Sequence, residues 1–591
     1  MTTEGSLESP SIDRIRHHVE HIVHEIPYRA AGSANGLKMA EYSRDCLKEA
    51  GLDHAGLHEF PAIVSFPEHA DFSVTAPTPT AIQANTLGHS LETLPEGLRG
   101  ELVYVGSGAL ADYAGKDVRG KIILTELSYA PARQEKQRIA GLMGASGAVM
   151  LNWGPADSQA LPFGSIKPLW GNPTPENYRR EMPTIPCIGI SRAAGLRLRD
   201  MCAAGKVEVW LRTHVENGWR PIQITVGDLA APATSPEAED FVLLGGHQDS
   251  WQGQSATDNA AGSACLIELA RLFANRRDEL RRGLMFGFWM GHETGTMAGS
   301  SWFVDHAWDK LREHAVAYLQ IDQPGCAGTT VWTTASNVEL KTFHQRIERA
   351  HLDGRPCRWE RAVKNGDSSF FGIGIPLFHG EGTFAPTREK DAAPASLGWW
   401  HHSLANTIDK LDWDWMGKHV EIYAAYLWEL CTAPVLPFDY RPVADQICAR
   451  LAELAEPGRD VGLDAVTARA RAFAAAAGRL DALAGTWRAR FAKGQGDEAA
   501  ARLLNRTFRR LGRLLVPLQS TVKGTYGQDP YGYTPQTTML PCLYDIPELA
   551  KLEDGEDRWM LGTRVVRDRN RVADALNDAI DLIDDVSAQL K

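Results

Sequence analysis

No stretch of about eighteen or more apolar residues occurs in the 591 of this chain, so nothing in it has the length of a membrane-spanning helix. Met1 to Pro10 contains neither a basic start nor an apolar core of the kind a secretion signal carries. Long basic runs are missing too. The 62 Lys and Arg are outnumbered by 74 Asp and Glu, a net charge of −12, which argues against nucleic acid as a partner. The nine cysteines are odd in number and scattered, and no pair has C-x-x-C spacing. That fits a reducing compartment better than a disulfide framework. No short internal repeat is visible. Together these absences predict a soluble, cytoplasmic protein with no membrane and no nucleic-acid partner.

The length is too great for one hydrophobic core and predicts several domains. The most informative stretch is Gly245-Gly246-His247-Gln248-Asp249, followed by Thr257-Asp258-Asn259. The apolar run Phe241 to Leu244 reads as a buried strand. The glycine pair ends it, and His247 emerges at its carboxyl end, where ligands sit in open α/β sheets. From Asn259 an Ala/Leu/Ile-rich run to Phe273 reads as a buried helix. The same arrangement returns three times. Leu284 to Met290 runs into Gly291-His292-Glu293, Tyr318 to Ile321 ends on Asp322, and Trp399-Trp400-His401-His402 precedes Asn406 and Asp409. A lone H-x-D is a weak signal and is usually structural. Two histidines and three carboxylates at successive element ends suffice for a dinuclear metal site with one shared carboxylate.

These residues resemble the dizinc aminopeptidase family, in the branch that contains glutamate carboxypeptidase II and transferrin receptor. The resemblance covers essentially the whole chain. It implies that His247, Asp258, Glu293, Asp322 and His402 are metal ligands, with Asp258 bridging. It also implies two divalent ions, Zn2+ first, with Mn2+ or Co2+ as alternatives. Asp249 matches the acid that orients the first histidine. Gly366-Asp367-Ser368 through Pro376 matches the substrate-side loop. Of the adjacent histidines, the offsets of Thr407 and Asp409 favour His402 as ligand, with His401 beside it in the pocket wall.

One position departs from the family. Where the family has Glu-Glu, this chain has His292-Glu293. The second acid is the ligand. The first is the general base that takes a proton from the attacking water, and His292 stands in its place. Histidine can do this work because its ordinary pKa lies near neutrality.

The other prominent residues carry plainer readings. Trp251, Trp289, Trp399, Trp400, Trp413 and Trp415 surround the motifs. Each alone reads as core, and together they suggest an aromatic-walled pocket. His379 and Glu381 read as structural, and Arg29 as a support for loop packing. The resemblance to glutamate carboxypeptidase II implies an arginine patch after the substrate-side loop for acidic substrates; the corresponding Gly372 to Phe378 has no arginine, which argues against an acidic preference, with Arg388 and Lys390 as the cations within reach.

The expected fold class is α/β: a mixed twisted sheet flanked by helices, with an inserted β-rich domain and a C-terminal helical bundle. The resemblance divides the chain into a first catalytic part (1–69), a protease-associated domain (70–235), the dimetal catalytic domain (236–437) and a helical dimerisation domain (438–591). It thereby implies a homodimer. The function expected is a dinuclear metal-dependent hydrolase of amide or peptide bonds, exopeptidase-like, with a short-peptide or small apolar or aromatic substrate. A metal-dependent lyase or cyclase, and a non-catalytic transferrin-receptor-like binding protein, are the alternatives.

Overall fold

The computed structural model describes residues 7–590. Its central feature is one mixed sheet of fourteen strands. In the half that carries the motifs, Phe241–His247 lies between Gly283–Trp289 and Ala315–Gln320, parallel to both. Every residue of these three strands is buried. Strands covered on both faces read as continuous apolar runs, which is why the alternation of a half-exposed sheet is missing from them. Leu377–Thr383 adds a fourth parallel strand, and Val331–Ser336 continues the sheet antiparallel. The helix Ala261–Ala274 is buried almost all round, between the sheet and the N-terminal helices Ile12–Glu25 and Ala34–Glu49. Ser33 caps the second of these, its Oγ accepting from Gly36 N at 3.0 Å.

Two unusually long strands, His54–Ala76 and Glu208–Leu229, pair antiparallel from His54↔Asp228 to Ala76↔Glu208. At one end Glu208–Leu229 joins Gly283–Trp289, and at the other it joins Leu98–Tyr104. The ribbon therefore carries one sheet through both halves of the molecule. Val207 to Leu211 reads in the sequence as a short strand. It continues instead to Leu229, because exposed Glu216 and Asn217 and half-buried Gly218 stay in the ladder rather than forming a turn. The second half stacks Leu98–Tyr104, Ile122–Glu126, Gly147–Leu151 and Cys187–Ile190 in parallel, with the helices Arg133–Leu142 and Arg192–Ala204 against them.

After Pro437 come the helices Arg441–Glu453, Leu463–Ala492, Glu498–Ser520 and Glu556–Gln589. Their apolar faces join the same core as the N-terminal helices. Arg513 fastens Glu498–Ser520 to the sheet half. Its guanidinium donates to the carbonyls of Arg312, Gly374, Leu311 and Ala315 at 2.7–3.1 Å. No helix among the described residues is long and apolar enough to cross a membrane.

Candidate metal centre

His247 ends its strand with Nδ1 3.0 Å from the Asp249 carbonyl. That contact places the proton on Nδ1 and leaves Nε2 free to act as a donor atom. Nε2 lies 3.0 Å from Asp258 Oδ1 and 3.5 Å from Asp322 Oδ1. The second oxygen of Asp258 faces the other way. Its Oδ2 is 3.1 Å from His402 Nε2, which in turn is 3.2 Å from Glu293 Oε1. The five residues singled out by the sequence thus converge, with Asp258 in the middle and one of its oxygens turned to each side.

The loops that present them are tied to one another. Asn259 Nδ2 donates to Ile321 O at 3.0 Å, and its Oδ1 accepts from Gln323 N at 3.2 Å, joining the Asp258 turn to the Asp322 segment. Asn406 Oδ1 accepts from Thr257 N and Oγ1 at 3.0 and 3.1 Å. Buried Arg29 donates to the carbonyls of Gln248, Gln254 and Ser255, so it holds the loop after His247. Asp249 acts differently from the expectation. Its carboxylate is 3.6 Å from His247 Nδ1, and it accepts instead from the backbone N–H groups of His292 and Glu293, both at 3.1 Å. The histidine is oriented by the Asp249 main chain, and the carboxylate holds the turn that carries Glu293.

That turn is also clamped from the inserted half. Thr294 O accepts from Ser65 N at 3.1 Å and lies 2.7 Å from His89 Nε2. Lys167 Nζ donates to Gly295 O at 2.7 Å, and Gly171 N donates to Thr296 O at 2.7 Å. Burial alone pushes the Lys167 ammonium down to about 7. Residues with positive φ gather at the motifs: Ser255 (44°), Thr296 (52°), Met297 (60°), Gln323 (51°) and His402 itself (55°). For residues other than glycine this conformation is costly, and such strain concentrates where a site demands a particular geometry.

The donor set fits divalent cations. Asp249, Asp258, Glu293 and Asp322 bring four carboxylates together with little solvent contact. Glu293 Oε1 and Asp322 Oδ1 face the imidazoles of His402 and His247 without a well-formed hydrogen bond. Carboxylates buried in this way are costly unless paired or coordinated. The imidazoles respond to them. Burial opposes protonation of His402, but Glu293 and Asp258 outweigh it and hold its pKa up at about 9. Asp258 is held well below the carboxylate range: burial works against this, and His247, His402 and His401 prevail.

Two neighbours add nitrogen atoms. His401 Nδ1 lies 3.4 Å from Asp258 Oδ2, its ring stacked on His402 with centroids 4.0 Å apart. Of this pair, it is His402 that reaches both Asp258 and Glu293. His292 stacks on His247, centroids 3.8 Å apart, and its Nδ1 is 2.9 Å from Asp367 Oδ2. Asp367 is buried and accepts from Ser300 Oγ at 2.8 Å. The sequence reading placed Asp367 only in a substrate-side loop. Its pairing with His292 spans 75 positions, beyond any local pattern.

A cavity of about 270 Å³ opens beside these residues. Its walls are mixed, with aliphatic residues such as Met297, Val363 and Leu397 beside charged ones. Arg133 reaches in from the inserted half, Tyr531 from the C-terminal region, and Glu360, Arg361, His379 and Glu381 from the sheet edge. This corrects the expected aromatic wall, since none of the six tryptophans lines it. Trp251, Trp289, Trp400 and Trp415 are buried packing residues, Trp413 lies under Arg16, and Trp399 sits at a separate surface groove. It also corrects the structural reading of His379 and Glu381, which form a pair 3.6 Å apart on the cavity wall. Arg388 and Lys390 do not border the cavity. Arg361 spends its guanidinium on the carbonyls of Gln519, Ala362 and Gln536. Arg133 anchors only its Nε, on Ser165 O at 3.0 Å.

Residues 227–427 match peptidase family M28, and residues 98–198 match the PA domain. The chain is 25% identical over 320 residues to carboxypeptidase Q of Xenopus laevis, covering 52% of this chain and 64% of that protein, less than two thirds of its length. It is 22% identical over 521 residues to the probable glutamate carboxypeptidase AMP1 of Arabidopsis thaliana, covering 72% and 69% of the two chains. Among solved structures it resembles BSAP, a zinc aminopeptidase from Bacillus subtilis, with TM-score 0.55 and 18% identity over 73% of this chain and 97% of that one. The aminopeptidase of Aneurinibacillus sp. strain AM-1 aligns with TM-score 0.53 and 20% identity over 72% and 94%. At these identities the structural likeness establishes the fold. The matches thus identify a peptidase family M28 domain over residues 227–427 and a PA domain over residues 98–198 of this chain.

Proposed function

We propose that this protein is a dinuclear metal-dependent peptidase acting on short peptides or related amides, with His292 as its general base. The observation that carries the reading is the division of Asp258, with Oδ1 3.0 Å from His247 Nε2 and Oδ2 3.1 Å from His402 Nε2. His247 and Asp322 would hold one zinc ion and His402 and Glu293 the other, with Asp258 between them. Bound there, the pair would supply Lewis acidity toward the scissile carbonyl and an acidified water as nucleophile. The peptidase names of the relatives support the same reaction class.

The protein's own part is to move the proton. Asp367 engages His292 Nδ1, so Nε2 is the nitrogen left for the reaction. Burial and His247 press the protonated form of His292 down, but Asp367 and Glu293 outweigh them, and its pKa lies above the usual histidine value in the cation-free chain. Cations bound alongside favour the neutral, accepting form. His292 takes a proton from the attacking water and returns it to the leaving amine. The absence of tryptophan from the cavity wall and the free end of Arg133 favour a short substrate with an anionic end over the aromatic one expected from the tryptophans.

A second reading of His292 has its own support. One of its ring nitrogens, with a ring nitrogen of His247 and a carboxylate oxygen of Asp322, forms a group of three donor atoms within 4.8 Å of one another. As a ligand it would not accept a proton. His292→Ala separates the two: a base leaves metal content unchanged, whereas a ligand takes an ion with it.

The experiment for the reaction class is hydrolysis of a panel of short peptides in 18O-labelled water by zinc-loaded protein. Incorporation of one labelled oxygen into the new carboxylate is expected. Turnover of an amide without incorporation would mean lyase or cyclase chemistry on the same scaffold.

A further inference from the structure

The two long strands cross the molecule between its halves, and at one point their ladder is irregular. Pro67 pairs with Val215 and Ala70 with Thr213, so Glu68 and His69 together stand opposite His214 alone. A bulge of this kind turns side chains away from the regular alternation and is a common device for placing functional groups. Here it brings the rings of His69 and His214 into a stack, with centroids 4.9 Å apart and planes at 23°. Asp71, two residues beyond His69 and therefore on its face of the strand, reaches both. Its Oδ2 lies 3.0 Å from His214 Nε2 and its Oδ1 4.0 Å from His69 Nε2.

The bulge is locked from beneath. Buried Thr86 donates its hydroxyl to His69 O at 3.0 Å and accepts from His214 N at 3.0 Å. Glu68, Glu92 and Glu216 line the adjoining depression with His214, so the surroundings are electronegative. An ordinary ion pair needs one histidine and one acid. Two stacked imidazoles that share a carboxylate in an acidic surrounding are poorly explained by that, since protonating both would set like charges face to face.

We propose that His69, Asp71 and His214 form a separate binding site for a divalent transition-metal ion of the zinc class. Two imidazoles and a carboxylate are a donor set that suits zinc, nickel or copper, with water completing the shell. Ligand atoms around a tetrahedral zinc stand about 3.3 Å apart, given bonds of about 2.0–2.1 Å. The His214–Asp71 contact is near that spacing, and the His69 side chain, 67% exposed, is free to turn the remaining distance. An ion here would pin the register of the ribbon that links the half carrying His247 to the half carrying Arg133.

The test is equilibrium dialysis of the full chain against micromolar zinc, with elemental analysis, for the parent, the His69→Ala/His214→Ala variant and Asp71→Asn. The parent is expected to hold one ion per chain more than either variant, whatever number the central cluster takes. Asp71→Asn keeps the size of the side chain and guards against misfolding of the double variant. As an independent readout, zinc should protect His69 and His214 of the parent from diethylpyrocarbonate, mapped by mass spectrometry. Equal ion content in all three proteins, or histidines that react equally with and without zinc, would overturn the proposal.

Discussion

The imidazole of His292 and the carboxylate of Asp367 meet at 2.9 Å through Nδ1 and Oδ2. Asp367 is fixed in turn by Ser300, whose hydroxyl also meets Ser369 Oγ at 2.8 Å, and Ser369 accepts from Trp170 Nε1 at 2.8 Å. The chain of contacts sets the ring orientation and decides which nitrogen is available for a proton.

If His292 is the base, His292→Ala should keep its metal content and lose roughly 100-fold to 10,000-fold in turnover, the usual share of a general base. Asp367→Asn should keep metal and lose about 10-fold to 100-fold, the usual effect of removing an orienting partner. His292→Glu should restore the family's acid and retain measurable peptidase activity. Turnover and metal content of the three variants, measured side by side, check this. A His292→Ala enzyme as fast as the parent would exclude His292 as the base.

Arg133 presents its guanidinium to the cavity from a helix of the PA domain, with only Nε anchored. A charge-assisted hydrogen bond contributes about 1.5–3 kcal/mol. Arg133→Ala is therefore expected to raise KM for peptides with an acidic or free carboxyl end by roughly 10-fold to 100-fold. It should change kcat much less, and amidated peptides should be indifferent to it. Equal effects on both kinds of peptide would exclude the role.

Glu339 is fully buried, and burial raises its pKa from 4.5 to about 7, against the pull of Gln519. Between these values the folded chain keeps a proton that the unfolded chain has released. Stability should therefore fall as the pH rises from about 4.5 to about 7, by about 3 kcal/mol at ~1.4 kcal/mol per unit. Glu339→Gln replaces the acid with a neutral group of the same shape. Its unfolding temperature is expected to exceed that of the parent at about pH 8 and to match it near pH 4.5. Parallel curves across that range would show that Glu339 does not ionise on this scale.

The helices after Pro437 leave Trp559 and Met560 exposed, at 63% and 58%, at the start of Glu556–Gln589. Exposed apolar side chains of this size and the family resemblance support a homodimer through this region. Light scattering on the full chain at micromolar concentration is expected to give twice the 64.9 kDa of one chain. A monomer would exclude it.

Much of the centre was legible in the sequence because each motif follows a fully buried strand. Phe241–His247, Gly283–Trp289 and Ala315–Gln320 show uninterrupted apolar runs, and the polar residues that break them mark the strand ends. What escaped was set by tertiary packing. Arg133 enters from a domain more than a hundred residues ahead of His247, and nothing around it in the sequence signals a cavity. Asp367 lies in a Gly/Ser-rich loop whose partner is remote. The tryptophans misled because a large ring beside a motif serves equally as wall or as packing. Trp289 donates Nε1 to Tyr318 OH at 3.0 Å in the core, and Trp415 to Thr329 Oγ1 at 3.0 Å. Of the ribbon only Val207 to Leu211 reads as a strand, because the polar stretch Glu216-Asn217-Gly218 that follows looks like a turn.

The most direct measurement is the divalent-metal content of the full chain purified without chelator, read against Asp258→Asn. The account expects the parent to carry about two more ions per chain than the variant, because the carboxylate between the two halves of the cluster is lost. Equal contents in parent and variant, unchanged after adding zinc, manganese or cobalt, would contradict a dinuclear centre on His247, Asp258, Glu293, Asp322 and His402.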